Sequence, residues 1–108
     1  MKLVFAIIQD QDTNHVVDAL TVAKFRVTKL SSSGGFLKSG NTTLLMGVED
    51  ERLDELMGIL ERESSQREVP ASVMSMNIPG DSYMPYPFNV QVGGATIFIL
   101  DVQEYLRY

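Results

Sequence analysis

All four prolines of this chain, Pro70, Pro79, Pro85 and Pro87, fall within residues 64–94, together with Gly80, Gly93 and Gly94. Proline removes a backbone donor and is held to the edges, bends and turns of sheets. The regular core therefore has to come from the flanks of this stretch. A strand-like run, "ATIFILDV", follows it, so the stretch leaves one domain and rejoins it. Connections of this length are uncommon inside compact domains and are usually functional or disordered. We read residues 64–94 as a long, mobile loop or arm, not a linker, with "PASVMSM" and "FNVQV" pairing as a β-ribbon around the tip "NIPGDSYMPYP".

The flanks carry alternating strand and helix signals. "KLVFAIIQ" is a nearly continuous apolar run, as expected of a strand central in a sheet. Asp10, Asp12 and Asn14 offer helix-capping side chains, and Val16, Val17, Leu20 and Ala23 follow at helical spacing, predicting a helix over 13–24. "FRVTKLSSS" and "TTLLMGV" read as two strands of a hairpin joined by the glycine-bracketed "GGFLKSGN". Asp50 is placed to cap a second helix, whose Leu53, Leu56, Met57 and Leu60 form an apolar stripe. "QEYLRY" is expected to form a last helical turn.

This order, βαβ then βαβ, predicts an α+β, ferredoxin-like βαββαβ domain over residues 1–108, with both helices on one sheet face and the arm inserted before the last strand. A one-sided sheet of this size leaves apolar residues uncovered on its other face. Oligomerisation is a physically reasonable way to cover them.

Composition excludes several function classes. Without cysteine there is neither a disulfide nor a thiolate metal site, and a reducing compartment is the simplest setting. No run approaches membrane-span length, and the apolar run after Lys2 is too short for a signal core. The expected location is cytoplasmic. A net charge of −5 argues against general nucleic-acid binding, which needs a basic face. The charge is unevenly spread, however. Residues 19–48 hold no Asp or Glu but contain Lys24, Arg26, Lys29 and Lys38, so the rest of the chain carries −9. A local positive field on an acidic protein suits a small anionic ligand, and a solvated hairpin bearing solubilising lysines is the bland alternative.

Conventional catalysis finds little support. His15 has no nucleophile beside it in any motif and reads as a lone surface histidine. Asp10, Gln11 and Asp12 lack a calcium-loop pattern and read as helix capping. The acidic turn at residues 49–55 reads as a solvated helix start. Met74, Met76 and Met84 read as packing groups.

The "GGFLKSGN" loop differs. Gly34, Gly35 and Gly40 allow successive amides to converge on an anion, although the loop lacks the ending of a P-loop. An aromatic such as Phe36 at a loop tip can stack on a nucleobase. Asn41 carries both donor and acceptor, the pattern that matches adenine. Arg26 and Thr28 lie across the same hairpin. Alternatively, Phe36 and Leu37 pack into a subunit interface and bind nothing small.

"QDQD", "FRVTKL", "GGFLKSGNTTLLMGV", "DSYMPYPF" and "VGGATIF", in this order and spacing, closely resemble the PII-like cyclic-di-AMP receptor family of Gram-positive bacteria. The resemblance spans essentially the whole chain. It implies a ferredoxin-like homotrimer with a cyclic-di-AMP site in each cleft between subunits, acting as a signal receptor without enzymatic activity, cofactor or metal. The short hairpin loop and the long segment before the last strand depart from ordinary PII proteins, so ATP and 2-oxoglutarate sensing are not carried over.

The resemblance places the ligand contacts on Arg26, Thr28, Gly35, Phe36, Leu37, Asn41 and Gly47. In this reading the amides of residues 35–37 hold phosphate and the Phe36 ring stacks on adenine. Thr28, Asn41 and the Gly47 backbone read adenine edges, while Arg26 adds charge or orders the pocket. Gly93 and Gly94 approach from the adjoining subunit. The expected function is second-messenger signal transduction, relayed through loop rearrangement to an unknown protein partner. Two alternatives stay open at this point: a constitutive trimeric adaptor docking a partner through the arm, and a nucleotide hydrolase using the glycine loop.

Overall fold

The computed structural model describes residues 1–30, 40–70 and 89–108, with the side chains of 69, 70, 89 and 90 outside the description. It is a mixed α/β domain with an antiparallel sheet and two helices. In chain order the elements are β1 (Lys2–Gln9), α1 (Asp10–Val22), β2 (Thr28–Leu30), β3 (Asn41–Val48), α2 (Leu53–Ser64), β4 (Arg67–Pro70), β5 (Asn89–Val92) and β6 (Ala95–Asp101). Four strands form one sheet in the order β2-β3-β1-β6, and β4 pairs with β5 in a separate two-stranded sheet.

β1 is central and pairs antiparallel with both β3 and β6. Its apolar run resolves into two faces, because successive strand side chains point to opposite sides. Val4, Ala6 and Ile8 are buried, and the register sets them beside Met46 and Leu44 of β3. Val16 and Leu20 of α1 and Leu56, Ile59 and Leu60 of α2 complete that core, so both helices cover the same face. Leu3, Phe5 and Ile7 point the other way and are only half-buried.

Among the described residues that second face carries no helix. Across it Phe5 pairs with Phe98 and Leu3 with Leu100. Phe5, Ile7, Leu30, Phe98 and Leu100 line an apolar depression of about 600 Å³. β6 is an edge strand, and Phe98 is 55% exposed on it.

Several expectations shift by a turn or less. α1 begins at Asp10 rather than 13, directly after β1, and no side-chain hydrogen bond caps it. It ends in a Schellman motif: the Phe25 amide donates to Leu20 O at 2.9 Å and the Lys24 amide to Thr21 O at 2.9 Å. Lys24 takes the left-handed conformation at φ 67° that glycine usually fills there. Arg52 holds the motif, donating to Ala23 O at 2.7 Å and stacking 3.9 Å over the Phe25 ring.

Asp50 does not cap α2 with its side chain. It opens a short 3₁₀ turn, Asp50–Arg52, and lies 3.1 Å from the Met1 amino group. The "QEYLRY" segment forms no helix; Tyr105, Leu106 and Tyr108 are exposed.

Before β6, β4 and β5 pair as two short antiparallel strands. The first begins at Arg67, three residues before the predicted "PASVMSM", and the register runs from Arg67 opposite Val92 to Pro70 opposite Asn89. The rest of "PASVMSM", the tip, and the "SSSGGFLKS" part of the hairpin connection lie outside the described residues.

Candidate functional site

The β2–β3 hairpin carries four of the sequence-predicted contacts within the described residues. Thr28 stands opposite Leu45, and Leu45 opposite Phe5, which puts Thr28 on the helix-free face. Asn41 and Gly47 share that face with Leu45, being an even number of residues from it along β3. Two residues before Thr28, the Schellman turn delivers Arg26 to the end of β3. There Arg26 and Gly47 line a shallow depression of about 220 Å³ with Lys24, Phe25 and Arg52. A methyl group on Gly47 would meet nothing within 4 Å. The chain's own packing therefore does not require glycine at this position.

Asn41 lies at the other end of β3, directly opposite Gln9. With Gly93 and Gly94 it lines a larger cavity of about 690 Å³, bounded also by Gln9, Ser64 and Thr96. The two glycines have φ of 82° and 103°, a left-handed region that side-chain-bearing residues rarely adopt. They swing the chain from the ribbon into β6. The Gly94 amide donates to Ser64 O at 2.5 Å and the Gly93 amide to Gln9 Oε1 at 2.8 Å.

One chain thus brings Asn41, Gly93 and Gly94 together at one end of the sheet, and Arg26 with Gly47 at the other. Six residues of extended strand separate Asn41 from Gly47, about 20 Å at the usual rise per residue. Gly35, Phe36 and Leu37 lie outside the described residues.

Sequence reasoning missed a polar cluster at the first of these ends. The Asp10 amide donates to Gly40 O at 2.8 Å, and the Thr42 hydroxyl donates to Asp10 Oδ1 at 2.5 Å. Asp12, read as a capping group, is fully buried and accepts from Arg67 Nη2 at 2.6 Å and Nη1 at 3.4 Å. This bond raises the Arg67 guanidinium above its ordinary value. The signal in sequence was "QDQD" itself: four polar residues in a row are more than one helix start needs. His15, read as a lone surface histidine, is half-exposed; its Nε2 lies 2.9 Å from Glu63 O and 3.6 Å from Asp12 Oδ1. Among the described residues no three His, Cys, Asp or Glu side chains are grouped as metal ligands, and no helix is long and apolar enough to cross a membrane.

The family described as "Cyclic-di-AMP receptor" matches residues 1–108. Among solved structures, one of a functionally unknown protein from Pediococcus pentosaceus ATCC 25745 is similar at 43% identity, covering 99% of this chain and 96% of that one, with a TM-score of 0.77.

Proposed function

Because the chain belongs to the cyclic-di-AMP receptor family, we propose that it is a trimeric sensor that binds cyclic-di-AMP at the seams between subunits and passes the signal to a protein partner. The family match across all 108 residues supports the ligand. The strand order β2-β3-β1-β6, with both helices on one face, supports a ferredoxin-like, PII-like reading of the fold.

The observation that carries the seam is the division of the contacts within one chain. Arg26 and Gly47 lie at the opposite end of β3 from the same chain's Gly93 and Gly94, so a ligand resting against them meets that glycine corner most readily on a second copy. A dinucleotide held between copies takes the hairpin face, with Arg26, Thr28, Gly35, Phe36, Leu37, Asn41 and Gly47, from one subunit. It takes the Gly93–Gly94 corner from the next. The helix-free face, with Phe98 and Leu100 exposed, is the surface those copies bury.

The chemistry required is recognition. Backbone amides and Arg26 meet the phosphates, the Phe36 ring stacks on a base, and the amide of Asn41 reads an adenine edge. The ligand leaves unchanged. Its binding shifts the ribbon only to the extent that its contacts differ between two ribbon positions.

Titration calorimetry with cyclic-di-AMP, cyclic-di-GMP and ATP, paired with sedimentation velocity, tests this. Saturation by cyclic-di-AMP alone, near one ligand per subunit of a trimer, is the expected result. A folded trimer that takes up none of the three ligands would overturn the sensor reading and leave a constitutive adaptor.

A further inference from the structure

Residues 9–12, the turn between β1 and α1, make contacts in two directions. Asp10 faces the hairpin: its amide donates to Gly40 O at 2.8 Å and its carboxylate accepts from Thr42 at 2.5 Å. Gln9 and Asp12 face the ribbon root. Gln9 Oε1 accepts from the Gly93 amide at 2.8 Å, where the chain leaves β5. Asp12 accepts from both terminal guanidinium nitrogens of Arg67, the first residue of β4. Gln11 also donates to Gln9 Oε1 at 2.9 Å.

The contacts to hairpin and ribbon span long stretches of sequence: Thr42 is 32 residues from Asp10, Arg67 is 55 from Asp12 and Gly93 is 84 from Gln9. Starting a helix needs none of them, since a single capping side chain satisfies one or two orphan amides. Hairpin and ribbon otherwise belong to separate sheets. The turn is rigidly placed, because β1 is the central strand and Asp12 has no solvent exposure. A displacement of the Gly40–Thr42 end therefore acts on Asp10, and through its neighbours on both strands of the ribbon root.

We propose that residues 9–12 are the mechanical coupler between the ligand-contacting hairpin and the β4–β5 ribbon, with Gln9 and Asp12 as positioning residues that set Gly93, Gly94 and Arg67. The identity of the ligand rests on the reading above; the coupling itself does not. Asp12 and Arg67 hold the first ribbon strand, and Gln9 with Gly93 holds the second. Loss of the hairpin contact at Asp10 is felt at both.

Native-state amide exchange on the full-length protein tests the coupler without ligand. Thr42→Val removes the hydroxyl that Asp10 holds, and Arg67→Gln removes the fork that Asp12 holds. Each should speed exchange on the far side of the turn by about fivefold or more, the scale of one lost hydrogen bond. The amides to read are Gly93 and Gly94 for Thr42→Val, and Asp10 for Arg67→Gln. The double variant should show less than the product of the single effects. Effects confined to the substituted side, multiplying independently, would overturn the proposal.

A second arm adds saturating cyclic-di-AMP to wild type, Gln9→Ala and Gln9→Glu. Gln9→Glu keeps the acceptor for Gly93 and should transmit a ligand-dependent change in exchange at Gly93. Read at ligand concentrations that saturate each variant, Gln9→Ala should transmit none; a full response from it would also sink the coupler. Absence of any binding by wild type would count against the sensor reading alone, because the ligand-free experiment still decides the coupling.

Discussion

Asp12 and Arg67 form a two-pronged ion pair in which the carboxylate is fully buried and the guanidinium is 42% exposed. The inequality decides what each substitution does. Removing Arg67 leaves a buried carboxylate without its main partner, whereas removing the Asp12 charge leaves a cation that water can still reach. Arg67→Gln should therefore destabilise by about 3 kcal/mol, the low end for breaking a buried pair, and Asp12→Asn by clearly less. Urea denaturation of both variants and of the double variant measures this, with a smaller loss in the double than in Arg67→Gln. Equal losses from the two single variants would mean that the carboxylate is not the stranded partner.

Gly93 and Gly94 both sit at positive φ, but they differ in their surroundings. A methyl on Gly93 would overlap the Ser65 carbonyl and the Arg67 guanidinium that Asp12 pins in place, while on Gly94 its nearest neighbour is Gln66 Cβ at 3.9 Å. Gly94→Ala should cost about 1 kcal/mol from backbone strain alone. Gly93→Ala should cost at least twice that, with faster amide exchange across β5. A reversed ranking would remove the close approach at Gly93 as the cause.

The parts of this fold legible in sequence are those set by local periodicity. The apolar stripe of Leu56 and Leu60, the hairpin into β3, and the strand at residues 95–101 all stand where spacing puts them. The ribbon was legible only in kind. Its root begins at Arg67 because the Asp12 pair and the Gly93 turn fix it there, and neither partner is near in sequence. For the same reason Asp10 and Asp12 read as caps: a short polar residue before an apolar helix has the same local pattern whether it bonds an amide next door or a guanidinium 55 residues away. The hairpin contacts Arg26, Thr28 and Gly47 came from family likeness. Register gives Thr28 and Gly47 their shared face, but names no ligand for it.

Lys2 and Asp101 face each other across β1 and β6 and form an ion pair at the sheet's edge. The hydrogen bond from Lys2, and then its charge, hold the Asp101 carboxyl below its ordinary value of 3.8. A carboxyl lowered by folding contributes stability above its unfolded value and loses it as pH falls through the folded one. Asp101→Asn should therefore flatten the acid limb of the stability curve below about pH 4 and leave the curve near pH 7 little changed, since the pair is exposed. Urea midpoints measured from pH 2 to 7 for wild type and variant show whether the slopes differ. Identical slopes would mean that the pair does not persist in solution.

Phe98 and Leu100 lie on the helix-free face beside Phe5 and Leu3, and neither is needed to complete the core between sheet and helices. Phe98→Glu should leave the circular dichroism spectrum unchanged and convert the oligomer to monomer in sedimentation velocity, because a buried carboxylate is not tolerated in an apolar seam. Cyclic-di-AMP affinity should fall with the loss of assembly if, as proposed, each site draws on two subunits. A Phe98→Glu protein that sediments like wild type would show that copies do not meet on this face.

Phe36 is the residue whose presence in a glycine-bracketed stretch calls for a ligand or a partner subunit, and the two explanations diverge on one substitution. If its ring stacks on an adenine, Phe36→Ala removes about 1–3 kcal/mol of binding and weakens cyclic-di-AMP by roughly 5- to 150-fold, with the trimer intact. If it packs between subunits instead, the same change loosens the trimer, and affinity falls only through that loss. Calorimetry and sedimentation on one preparation separate the cases. Phe36→Trp adds a second check, since a larger aromatic face preserves stacking but would crowd a close-packed seam. Retained affinity with Trp and lost affinity with Ala, both in a stable trimer, is the expected result. Wild-type affinity in Phe36→Ala would end the stacking role and leave the phosphate contacts to the loop amides and Arg26.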